Sequence, residues 1–164
     1  MPERKHIRWR GFDYSSASAY FITICVKDHC HWLGEIKNGI MCFSEVGNIA
    51  ALYLQQIPEI RNNVLLETFI VMPNHIHFIL EITENTSEEI RYNQFGKPLS
   101  GSVSMIVNQF KGAVKKWCNQ NGYADFEWQG RFHDHVIRND KEFKAIENYI
   151  IDNPVNWNKD KFYT

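Results

Sequence analysis

Met72-Pro73-Asn74-His75-Ile76-His77-Phe78-Ile79-Leu80 is the stretch on which the reading of this chain turns. Successive side chains of an extended strand point to opposite faces, so His75 and His77 share one face while Ile76, Phe78, Leu80 and Ile82 line the other. With a rise of about 3.3 Å per residue, the two imidazoles start about 7 Å apart at the backbone. That is close enough for both rings to tilt toward one divalent ion. A His-x-His pair is also common as plain polar decoration, so the rest of the chain has to decide between the two.

Outward from this strand, Leu66 to Val71 reads as a neighbouring strand, with Met72-Pro73-Asn74 as the turn, because proline cannot donate to a ladder and asparagine tolerates turn geometry. Ala19 to Val26 is dense in β-branched and aromatic residues and predicts a central strand. His31 to Ile36 is expected to pair with Ile40 to Phe43 through Lys37-Asn38-Gly39, since Asn-Gly adopts the positive φ angles of a tight turn. Ser44 caps a predicted helix whose stripe is Val46, Ile49, Ala50, Tyr53, Leu54 and Ile57, ending near Pro58.

A second helix is predicted from about Ser102 to Asn119, with Val103, Ile106, Val107, Phe110, Val114 and Trp117 inward. Asn139-Asp140-Lys141-Glu142 supplies a cap with a glutamate placed to reach back, and Pro154 stops the third helix that follows. Hairpins with interspersed helices predict an α+β fold with an antiparallel sheet. The polar stretch Thr83 to Gly101 reads as a long loop.

At 164 residues, with 44% apolar and 14% aromatic content, the chain reads as a single globular domain over 1–164. It has no apolar run near the ~20 residues that span a bilayer, and no apolar signal core behind Met1. We therefore expect a soluble, unexported, cytoplasmic protein without membrane partners. The four cysteines, Cys25, Cys30, Cys42 and Cys118, match no zinc or redox spacing and read as reduced. A net charge of −1 argues against indiscriminate coating of nucleic acid. Positive charge is nonetheless clustered, at Arg8 and Arg10 and again at Lys111, Lys115, Lys116, Arg131 and Arg138. Trp9, Trp128, Phe132 and His135 lie among these groups.

Tyr149 and Asn153 stand four apart and share a helix face if the third helix holds to its last turn. Should that helix cross the histidine face, the pocket would hold two imidazoles, an amide oxygen and a phenol. Mixed nitrogen and oxygen donors suit Mn²⁺ and, less well, Mg²⁺. Such an ion polarises a phosphodiester while the phenol attacks phosphorus, giving a phosphotyrosine.

Asp13-Tyr14, Tyr20-Phe21-Ile22-Thr23-Ile24-Cys25, Met72-Pro73-Asn74-His75-Ile76-His77, Trp128-Gln129 and Tyr149-Ile150-Ile151-Asp152-Asn153-Pro154 together resemble the REP-associated tyrosine transposases, relatives of the single-strand insertion-sequence transposases of the HUH superfamily. The resemblance runs from near Arg8 to Trp157. It implies a ferredoxin-like antiparallel sheet, metal ligation by His75 and His77 with Asn153 as third ligand, and Tyr149 as the nucleophile of a 5′-phosphotyrosine link that leaves a 3′-hydroxyl. It implies single-stranded or hairpin DNA as partner, and a monomer or homodimer. Arg8, Arg10, Lys111, Lys115, Lys116, Arg131, His135 and Arg138 are then candidates for DNA contact, with Trp9, Trp128 or Phe132 stacking on bases. The alternative is a relative that binds structured DNA or RNA without cutting it.

Overall fold

The computed structural model describes residues 18–83 and 103–164. Arg8, Trp9, Arg10, Asp13, Tyr14 and most of the predicted loop lie outside those residues. In chain order the elements are β1 (Ser18–Cys25), β2 (Gly34–Lys37), β3 (Ile40–Phe43), α1 (Glu45–Ile60), β4 (Val64–Val71), β5 (His75–Ile82), α2 (Val103–Gln120), β6 (His133–Ile137) and α3 (Asp140–Asp152). Four strands form one antiparallel sheet in the order β4-β5-β1-β6. Without the β2–β3 hairpin and α3, the chain runs strand, helix, strand, strand, helix, strand, with its first and third strands central. That is the ferredoxin-like order.

Strand alternation gives the sheet two working faces. Ile22, Ile24, Ile76, Phe78 and Leu80 point to one, where α1 and α2 bring Val46, Leu54, Val107 and Phe110 into the main core. Ala19, Ile79 and Ile137 point to the other and meet Phe143 and Ile150 of α3 in a second, smaller cluster. His75 and His77 belong to this second face. The expectation of one apolar and one polar face is therefore incomplete: β5 is buried on both sides from His75 to Glu81, because α3 covers the imidazoles.

Most element boundaries follow local chemistry. Ser44 accepts from Gly47 N at 3.0 Å, and Asn139 accepts from Glu142 N at 2.9 Å, so both predicted caps form. Glu142 reaches one residue further back than a capping box requires, taking the backbone N–H of Arg138 at 2.8 Å and His135 Nε2 at 2.5 Å. Asn38 (φ 52°) and Gly39 (φ 74°) make the left-handed pair of the β2–β3 turn. Gly47 lets α1 press onto the chain before it, since a Cβ there would collide with the Leu33 carbonyl oxygen.

Three boundaries differ from expectation. α1 continues two residues past Pro58, whose fixed φ suits a last turn and removes only one helical hydrogen bond. β2 begins at Gly34 rather than His31, and β4 at Val64 rather than Leu66. Among the described residues no helix is long and apolar enough to cross a membrane.

Candidate active site

The two central strands set the site. Register places Cys25 opposite His75 and Thr23 opposite His77. Thr23 Oγ1 lies 2.7 Å from His77 Nδ1. Asn74, read from sequence only as a turn residue, has its amide oriented by two donations, to Phe162 O at 2.8 Å and His29 O at 3.3 Å. Its Oδ1 is thereby left facing His75 Nδ1 at 2.8 Å, where it accepts. A hydrogen on Nδ1 leaves His75 Nε2 as a bare lone pair, the outer-shell arrangement that readies an imidazole to ligate.

α3 supplies the other wall. Asn153, its C-cap, keeps helical dihedrals (φ −59°, ψ −43°), so Pro154 does not disturb the last turn and Tyr149 and Asn153 do share a face. The Tyr149 hydroxyl sits 3.4 Å from His77 Nε2 and donates to Asp160 Oδ2 at 3.3 Å. Its ring packs edge-on to Phe21 and 5.3 Å from the His77 ring. With 40% of its surface exposed, it is open to a large substrate.

Asp160 has no counterpart in the sequence reading. It follows a short 3-10 turn (Trp157–Lys159) that folds the tail back over the histidines. Its Oδ2 accepts from Asn153 Nδ2 at 2.8 Å and its Oδ1 from Phe162 N at 2.7 Å. The Phe162 ring then lies 4.5 Å from that of His75. Side-chain ligand atoms of His75, His77 and Asp160 all lie within 4.8 Å of one another.

What these atoms lack is a positive partner. His75 Nε2 and Asn153 Oδ1 are both fully buried acceptors with no hydrogen-bond donor among the described residues. Buried acceptors of this kind cost free energy unless something electropositive meets them. Two imidazole nitrogens, an amide oxygen and a carboxylate, with His75 Nε2 and Asn153 Oδ1 still lacking a donor among the described residues, fit a divalent cation.

The electrostatics agree. Burial pushes the His75 imidazole down to about 4, against a smaller opposing pull from Asp160. Burial, and then the neighbouring His75, hold His77 well below the usual range. Both rings are therefore neutral, the form that binds metal, at ordinary pH. Tyr149 is pushed up to about 12, first by burial and then by the Asp160 carboxylate.

These shifts predict a stability profile. In the unfolded chain both imidazoles titrate near 6.5, whereas in the fold they resist protonation, so above 6.5 their states match and no difference arises. As pH falls below 6.5 the unfolded state takes up protons the fold refuses. Between pH 6.5 and 5, each imidazole should lower metal-free stability by up to about 2 kcal/mol. Urea midpoints in chelator at the two pH values check this, and equal midpoints would contradict neutral buried rings.

No family profile matches the sequence. An uncharacterized protein of Haemophilus influenzae is 34% identical over 167 residues, covering 98% of this chain and 93% of the relative. A second protein of that organism, provisionally named a REP-associated tyrosine transposase, is 25% identical over 150 residues, 87% of this chain and 73% of its own length. A solved structure described as a REP-associated tyrosine transposase bound to a REP hairpin shares the fold, with a TM-score of 0.61 at 20% identity over 89% of this chain and 72% of that one. The chain is thus similar to proteins described as REP-associated tyrosine transposases.

The structure brings together His75, His77, Tyr149 and Asn153 as the sequence reading expected, and adds Asp160. The basic candidates separate into two groups. Lys111 Nζ donates to Gln129 O at 2.7 Å, and Lys115 Nζ donates to the carbonyls of Ala124 and Phe126 at 2.8 and 2.6 Å while pairing with Glu127 at 2.8 Å. Both lysines tether the 124–130 segment. Lys116, Arg131 and Arg138 are exposed, and His135 pairs with Glu142. Trp128 is a further correction: it is buried against Phe110 and Phe126 and donates its indole N–H to Lys111 O, so it is a core ring rather than an open stacking surface.

Proposed function

We propose that this chain is a REP-associated tyrosine transposase, a metal-dependent single-stranded DNA nuclease and strand transferase acting on hairpin DNA through a 5′-phosphotyrosine at Tyr149. The observation that carries the reading is the pair of buried acceptors without a donor among the described residues, His75 Nε2 and Asn153 Oδ1, on the two elements that also bring His77 and the Tyr149 hydroxyl together. The relative whose structure is described as bound to a REP hairpin supports hairpin DNA as the substrate class.

His75, His77 and Asp160, with Asn153 Oδ1 alongside, would hold the ion, Mn²⁺ or Mg²⁺. When bound, a divalent ion supplies Lewis-acid polarisation of the phosphodiester and offsets charge developing on its oxygens. The chain's own residues do the rest. Phe21 and the His77 ring fix the phenol of Tyr149, and Asp160 orients its hydroxyl. Tyr149 Oη bonds to phosphorus and gives up its proton, and the bond to the 3′-oxygen of the preceding nucleotide breaks. That oxygen takes a proton, so the step consumes none overall. Energy of the phosphodiester is kept in the phosphotyrosine, which a second 3′-hydroxyl can attack to rejoin the strands.

The test is direct. Protein mixed with a family of labelled single-stranded hairpins should give a species on denaturing gels that migrates as protein plus DNA. It should require Mn²⁺ or Mg²⁺ and vanish in EDTA. Hairpin binding that survives EDTA, with no adduct under either metal, would instead favour the non-cleaving binder.

A further inference from the structure

His133 and His135, on the edge strand β6, form a second His-x-His pair, and the register puts them on the same face of the sheet as His75 and His77. Ile137, two residues on, fixes that face, because it joins Ala19 and Ile79 in the cluster beneath α3. His77 stands opposite Thr23 on one side of β1, and His133 stands opposite Thr23 on the other, so the three form a row across the sheet. We propose that His133 donates a proton to the 3′-oxygen that leaves when Tyr149 attacks phosphorus; this assignment rests on the cleavage reading proposed above.

The step needs a donor that the groups around the phenol do not supply. The Tyr149 hydroxyl is bonded to Asp160 and lies against His77, and both belong to the proposed ligand set, so neither is free to carry a proton. Attacking and departing oxygens lie roughly in line through phosphorus, so the departing one is on the side away from the phenol. α3 covers β4 and β5, where Thr68 donates to Glu147 at 3.2 Å and Tyr149 packs on His77, and the tail seats Phe162 on His75. Among the described residues the face stays open over β1 and β6, where His133 and His135 are exposed.

Neighbouring strands lie about 4.8 Å apart, so His77 and His133 stand about 10 Å apart across β1. The Tyr149 hydroxyl, 3.4 Å from His77 Nε2, marks the near end of that span. What remains matches an attack distance of about 3 Å, one phosphorus–oxygen bond and a hydrogen bond of about 2.8 Å laid end to end. Of the two β6 histidines, His135 is engaged: its Nε2 lies 2.5 Å from Glu142 Oε1, which braces the edge strand against the helix that carries Tyr149. His133 has no such ion pair among the described residues and is free to meet a substrate.

Tyr149 Oη bonds to phosphorus as the bond from phosphorus to the 3′-oxygen breaks, and that oxygen keeps the electron pair. The imidazolium of His133 gives it a proton, so it departs as a 3′-hydroxyl rather than as an alkoxide. The phenol's proton passes to solvent, and His133 takes one back from solvent after the strands part. Histidine as a residue type suits both halves of this cycle, since its charge changes within the physiological pH range. In the rejoining step the neutral imidazole accepts the proton of the attacking 3′-hydroxyl.

The experiment replaces the departing oxygen with sulfur, which leaves as a thiolate without needing a proton because a thiol is far more acidic than an alcohol. The cleavage position in a labelled hairpin strand is mapped with the unsubstituted protein in Mn²⁺, and the strand is then made with a 3′-bridging sulfur at that position. His133→Ala, at an exposed side chain, should slow adduct formation on the oxygen strand by about 100-fold or more, within the range that general acid catalysis supplies. On the sulfur strand its deficit should shrink by at least about ten-fold. A smaller deficit on oxygen, or one that sulfur does not shrink by that factor, would overturn the proton donor and leave cleavage by Tyr149 standing. A purely structural fault in the variant slows both strands alike and so counts against the assignment. No adduct from the unsubstituted protein on any hairpin would overturn the cleavage reading and this assignment together.

Discussion

Tyr149→Phe is expected to abolish covalent capture of DNA, a loss of at least about 10³-fold, because a nucleophile removed outright leaves only binding and charge stabilisation behind. The substitution is well chosen structurally. The ring's contacts with Phe21 and His77 persist, and the hydroxyl's two hydrogen bonds are long, 3.3 and 3.4 Å, so little folding free energy is at stake. Hairpin affinity should change by less than about three-fold, consistent with the small worth of one exposed hydroxyl. A labelled hairpin resolved on native and denaturing gels separates the two effects. An adduct of undiminished yield in the phenylalanine variant would move the nucleophile elsewhere.

His75→Ala combined with His77→Ala should abolish stabilisation by Mn²⁺. A ligand bound only by the folded state contributes about 2.7 kcal/mol at one hundred times its dissociation constant, which appears as a rise in Tm of several degrees for the unsubstituted protein. Without the imidazoles, only the Asp160 carboxylate and the Asn153 amide remain, and one carboxylate with one amide holds such an ion weakly. Asp160→Asn then separates the two oxygens. If the tail carboxylate ligates, this single change lowers Mn²⁺ affinity roughly 10- to 100-fold. Thermal melts with and without Mn²⁺ read all three proteins. An unchanged Tm rise in the double histidine variant would place the ion at some other site.

The sequence disclosed the sheet because strand propensity and caps are local signals: His75 and His77 alternate with Ile76 and Phe78, Ser44 and Asn139 each cap the helix behind them, and Asn38-Gly39 turns as its chemistry requires, whereas the burial of both faces of β5 depends on α3. His75, His77, Tyr149 and Asn153 were legible for the same reason, since spacings of two and four fix faces without knowledge of the fold. Asp160 was not. It arrives through a tail reversal set by the Trp157–Lys159 turn and by Phe162 packing on His75, contacts between residues far apart in the chain. The roles of Lys111 and Lys115 were hidden likewise, because their partners are backbone carbonyls of a segment with no periodicity. Asn74 showed its turn propensity and concealed the tautomer it imposes on His75.

The two hydrophobic clusters are unequal, and the seam between α3 and the sheet is the slighter one, resting on Ala19, Ile79, Ile137, Phe143 and Ile150. Tyr149 and the histidines sit on opposite sides of that seam. Warmth that loosens it would part Tyr149 from the imidazoles while the larger core beneath α1 and α2 stayed shut, so the heat tolerance of the proposed activity is decided by a handful of aliphatic and aromatic contacts rather than by the body of the protein. Adaptation to hotter or colder hosts would then leave its mark first at Ile79, Phe143 and Ile150.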